Sequence, residues 1–114
     1  MARLRQGLLL AGLAAFAAGG AGARTYEGSE AAALRCSNTL ALTAVALSRA
    51  NMIGETEKNV MLGVTFRILE RHVSGSWAEK KAALAIMRDR RSVPDTLQDY
   101  QRNAARCLRQ FPIN

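Results

Sequence analysis

The chain is predicted to be a small all-α protein, an antiparallel four-helix bundle that follows a cleaved signal peptide and is stapled by one disulfide. Three observations carry this. Beyond residue 23, proline occurs only at Pro94 and Pro112, while Ala, Leu, Arg and Glu dominate, and these four favour helix. Apolar residues recur at steps of three and four, with no strand-like alternation. The two cysteines, Cys36 and Cys107, fall on the apolar stripes of the first and last of the resulting helices.

Residues 1–23 have the layout of an export signal. Arg3 and Arg5 form a basic start, Gly7 to Ala18 is apolar, and Ala21-Gly22-Ala23 offers the small-x-small pattern that a signal peptidase accepts. The apolar stretch is short and rich in Ala and Gly, which disfavours a lasting membrane span. No apolar run beyond Ala23 approaches spanning length, so no stable span is expected after cleavage. Removal of the leader leaves residues 24–114 as a single helical domain, expected in a periplasm or secreted.

The first helix is expected from about Ser29 to Arg49. Ser29 suits the cap and Glu30 the first turn, where the helix dipole favours negative charge. Ala33, Cys36, Leu40, Ala44 and Leu47 make one face, and Asn51 and Gly54 end the run. The second helix spans about Thr56 to His72, with Glu55 and Glu57 at its start and Arg71 at its end. Met61, Val64, Ile68 and His72 form its stripe, with Val60 and Leu69 beside it. Gly63 inside it costs about 1 kcal/mol relative to Ala, a cost that suggests close packing against a neighbour.

Ser76-Trp77-Ala78-Glu79 matches the S-x-x-E capping box and opens the third helix. Ala83, Leu84, Met87 and nearby Ile86 follow, and Arg88, Arg90 and Arg91 close it. Ser92-Val93-Pro94-Asp95 opens the fourth, with Pro94 suited to the first helical position. Leu97, Tyr100, Ala104, Cys107, Leu108 and Phe111 form its stripe before Pro112 stops it. Linkers this short favour antiparallel neighbours. In that topology the start of the first helix and the end of the last lie at one level, within reach of a Cys36–Cys107 bond. Closing a loop of about 70 residues stabilises by roughly 4 kcal/mol in the chain-entropy model.

The chemistry readable from the sequence points to binding and not to catalysis. The wide cysteine spacing does not match a local redox or haem-attachment motif. His72 is the only histidine, too few for an ordinary zinc site; any serine–histidine pair would have to use it, and no G-x-S-x-G elbow surrounds any of the serines. A haem between helices, held by His72 and one of Met52, Met61 or Met87, is a conceivable cofactor arrangement. The methionines and His72 are more simply explained by packing, and no cofactor or metal is expected. Glu55, Glu57, Asp95 and Asp99 are explained by helix-dipole matching.

The arginines leave the most room for function. The formal charge is +7, and removal of Arg3 and Arg5 lowers it to +5, a balance that favours acidic partners. Arg88, Arg90 and Arg91 on the third helix, with Arg102, Arg106 and Arg109 on the fourth, form a candidate basic face. Its expected partner is a protein or an anionic envelope component; export argues against nucleic acid. Trp77, the only tryptophan, either packs inward or anchors an interface. The expectation is therefore a non-enzymatic binding module, with a periplasmic stress chaperone or a small-ligand carrier using the bundle interior as alternatives.

Overall fold

The computed structural model describes residues 24–114; the expected signal peptide, residues 1–23, lies outside the described residues. Four helices follow one another: α1 (Gly28–Arg49), α2 (Glu55–His72), α3 (Trp77–Asp89) and α4 (Val93–Gln110). No strand occurs among the described residues. The chain is an all-α bundle, and a disulfide joins Cys36 of α1 to Cys107 of α4, with Cα atoms 5.8 Å apart, an ordinary separation for such a bond.

The helix ends follow from local chemistry. At α3 the capping box forms in full: Glu79 N–H donates to Ser76 Oγ at 3.1 Å, and Ser76 N–H donates to Glu79 Oε1 at 2.8 Å. At α4, Asp95 N–H donates to Ser92 Oγ at 3.1 Å, and Pro94 is the second helical residue, after Val93. At α2 only half a box exists. Glu57 Oε1 accepts from Gly54 N–H at 3.0 Å, and glycine has no side chain to return the bond. At α1 the expected Ser29 cap is replaced by Glu27, whose side chain makes no capping bond. Gly28 has a φ of +57° and lets the chain turn into α1 before Ser29 is reached. α1 ends where Asn51 takes a φ of +59°, which lets Met52 N–H reach back to Leu47 O at 2.9 Å.

α1 is the central rod, and α2, α3 and α4 each pack against it. The core is accordingly an α1 core. Ala33, Leu34, Cys36, Leu40 and Ala44 are buried there, met by Ile68 and Leu69 of α2, then Val73 and Phe111. α2 runs back along α1. Ser74, just past its end, donates its N–H to Glu30 Oε2 at 2.7 Å, and its carbonyl accepts from Tyr26 Oη at 2.7 Å. Gly75 makes this corner possible. Its φ is +99°, and a Cβ there would lie 2.6 Å from Glu79 Oε1 and 2.8 Å from the Tyr26 hydroxyl.

α4 starts beside the end of α3, and the tail that follows α4, Phe111 to Asn114, lies on α2. There His72 Nε2 lies 2.7 Å from Pro112 O and edge-on to Phe111, with ring centroids 5.4 Å apart. Its stripe is only partly covered. Phe111 is buried, Leu97, Tyr100, Ala104 and Cys107 are half-buried, and Leu108 is exposed. One expectation changes. Gly63 is exposed and a Cβ on it would meet nothing within 4 Å, so it serves no close packing, because that face of α2 points away from α1. By length and composition α1 is apolar enough to cross a membrane, although Glu30, Arg35 and Asn38 interrupt any continuous apolar run in it. In the fold, half of its most apolar window is buried against the other helices.

Candidate functional site

Asp99 is the junction of three parts of the chain. Its carboxylate is 9% exposed. Arg91 Nη1 donates to Oδ2 at 3.1 Å, Thr39 Oγ1 at 3.1 Å and Arg35 Nε at 3.3 Å, while Asn103 Nδ2 donates to Oδ1. Burial opposes ionisation of this carboxyl, but the hydrogen bonds from Asn103, Arg91, Thr39 and Arg35 outweigh it and bring the pKa from 3.8 to about 2. Asp99 thus ties α4 to α1 and to the end of α3. It does more than the dipole matching expected of it, since it lies in the second turn of α4, facing α1.

The same clamp fixes two arginines at the edge of a cleft. The cleft opens between α1, α3 and the segment before α1, with a volume of about 410 Å3. Its floor is apolar: Leu34 from α1, and Ala83, Ile86 and Met87 from α3. Its edge carries Arg24, Arg35, Arg90 and Arg91. Arg35 and Arg91 are positioned by Asp99. Arg24 is held at the other end, donating to Ser74 Oγ at 2.9 Å, lying 4.8 Å from the centre of the Tyr26 ring and 3.8 Å from Glu79. Arg90 is exposed and makes no ion pair among the described residues. Four guanidinium groups therefore stand around an uncovered apolar floor, with the carboxylates of Asp99, Glu79 and Glu30 nearby. Tyr26 also borders the cleft; burial and the nearby Glu79 and Glu30 carboxylates raise its pKa, against the lowering influence of Arg24.

Comparison with protein-family models, curated proteins and solved structures returned no match.

The six arginines singled out in the sequence separate into distinct settings. Arg90 and Arg91 border the α1/α3 cleft. Arg88 pairs with its neighbour Asp89 at 3.3 Å. Arg106 hydrogen-bonds Asn103 Oδ1 and lines a second, smaller groove between α1 and α4, with Arg35, Asp99 and Cys107. Arg102 and Arg109 are exposed and line neither. Sequence reasoning missed Arg24, Arg35 and Asp99 as site residues. The Arg35/Thr39 and Asp99/Asn103 pairs, each four apart on a helix, were the available signal, but nothing in the sequence says that the two pairs meet.

Two other candidates have structural explanations. His72 directs Nε2 at Pro112 O, joining the last residues of the chain to α2. Arg67 and Arg71 donate to the carbonyls of Ile113 and Asn114 beside it. Trp77 is 40% exposed and stacks at a tilt on Phe66, with ring centroids 4.7 Å apart. Beneath them the buried Lys80 donates from Nζ to Leu69 O at 2.9 Å. No group of three or more His, Cys, Asp or Glu side chains suited to a metal occurs among the described residues.

Proposed function

We propose that the protein is a non-enzymatic binding module that acts outside the cytoplasm and engages an acidic protein partner through its arginine-rich surface. The observation that carries this reading is the α1/α3 cleft. Guanidinium groups and apolar side chains are brought together there from three separate segments; Asp99 holds Arg35 and Arg91, and Ser74 and Glu79 hold Arg24, before any partner arrives, which leaves Arg90 exposed beside them. Preorganisation of that kind lowers the ordering cost of association. An apolar floor beneath charged edges is also the usual anatomy of a protein-binding patch. The disulfide supports the extracytoplasmic placement, since such bonds persist in oxidising compartments.

The test is salt-dependent capture of acidic protein from an envelope extract, with two charge-reversed proteins compared. One carries Arg90→Glu, and the other carries Arg102→Glu, Arg106→Glu and Arg109→Glu together. The proposal expects capture that weakens with salt and is lost with Arg90→Glu. Capture unaffected by either set of substitutions contradicts it.

A further inference from the structure

The charged groups of the cleft stand at its two ends and the apolar ones between. Arg24, beside Glu79, marks one end; Arg90 and Arg91 mark the other. Glu79 and Arg90 are eleven positions apart along α3, which at the helical rise is about 16 Å. Ala83, Ile86 and Met87 lie in that interval. An amphiphile carries a single anionic headgroup, whereas an exposed guanidinium stands at each end of the cleft, Arg24 beside Glu79 and Arg90 without an ion pair among the described residues. An extended peptide needs backbone hydrogen-bond partners, and the helical walls of α1 and α3 have theirs satisfied internally. Ala31 and Ala83, both small, let a third rod approach the floor closely.

The geometry points to an acidic amphipathic helix as the occupant of the α1/α3 cleft, an inference that rests on the binding-module reading above. Its carboxylates stand about three turns apart, at i and i+11, over Arg24 at one end and Arg90 and Arg91 at the other. Its apolar side chains, at i+4 and i+7, enter the floor between Ala83, Ile86 and Met87. This is the helix-in-groove mode of recognition, with affinity from the apolar face and register from the charges.

The test uses the protein purified from expression of the full sequence and a fluorescent synthetic peptide with Glu at i and i+11 and Leu at i+4 and i+7. Binding is read by anisotropy at physiological salt. The comparison probes are a scrambled peptide of the same composition, polyglutamate, and vesicles of anionic phospholipid. The variants are Arg90→Glu and Ile86→Asp, with Arg109→Glu as the control away from the cleft. All three positions are exposed, and equal thermal midpoints confirm that the fold is retained.

The expected result is binding of the patterned peptide, weakened about tenfold or more by Arg90→Glu and by Ile86→Asp and unchanged by Arg109→Glu. Equal binding of the scramble or of polyglutamate overturns the helix inference while leaving a basic binding surface in place. Binding of vesicles without the peptide also overturns it, in favour of a lipid surface. Absence of binding by every acidic probe overturns both this inference and the reading beneath it.

Discussion

Asp99 concentrates much of the polar organisation of the molecule in one carboxylate. Its pKa is lowered from 3.8 to about 2, so ionised Asp99 stabilises the fold at neutral pH by about 2 kcal/mol, from roughly 1.4 kcal/mol per pKa unit. That contribution is complete above the ordinary carboxylate pKa and is lost as pH falls from about 4 through about 2. Asp99→Asn is expected to lower stability by about 2 kcal/mol at pH 6 and to remove this part of the acid dependence. Guanidinium denaturation of both proteins from pH 6 to pH 2 checks it, and the two curves are expected to converge at the acid end. Gly63 provides an opposite case. It sits in an exposed helix interior with open space where a Cβ would go. Gly63→Ala is expected to raise stability by about 0.5–1 kcal/mol, read as a higher denaturation midpoint at unchanged slope. A loss of stability would mean that Gly63 has a contact partner after all.

At the scale of the helices, the boundaries were the most legible part of the sequence. Ser76 and Glu79, and Ser92 with Asp95, announce α3 and α4 because capping is local: donor and acceptor are three residues apart. The burial of each stripe was less legible, because it depends on which helix is central. α4 has the best stripe in the sequence, yet of that stripe only Phe111 is fully buried, while α1, less sharply patterned, is covered on several sides. α4 is therefore held by three specific attachments: the disulfide at Cys107, the Asp99 clamp, and the Phe111–Asn114 tail on α2. Replacing both cysteines, Cys36→Ser with Cys107→Ser, is expected to cost about 2–4 kcal/mol. Amide exchange should rise more in α4 than in α1 or α2, since α4 has no fully buried apolar residue within its bounds and those two helices do. Equal acceleration across all four helices would contradict this account of how α4 is held.

At the scale of the whole molecule, the sequence indicated a basic surface but not its shape. Arg90 and Arg91 were visible as the end of α3. Their companions Arg24 and Arg35 were not, since they come from 55 or more positions away and meet the others only after α3 has folded against α1. Under the proposed binding role, association at the cleft is both charge-steered and dependent on apolar contact, so acidic partners should bind more weakly as salt rises, without losing all affinity at high salt. The most direct measurement is an NMR titration of the isotopically labelled protein with an acidic, apolar-faced peptide, following backbone amide shifts. The account predicts perturbations clustered on residues 31–35 of α1 and 83–91 of α3, extending to residues 24–26. Perturbations confined to Arg102, Arg106 and Arg109 on α4, or none at all, would contradict it.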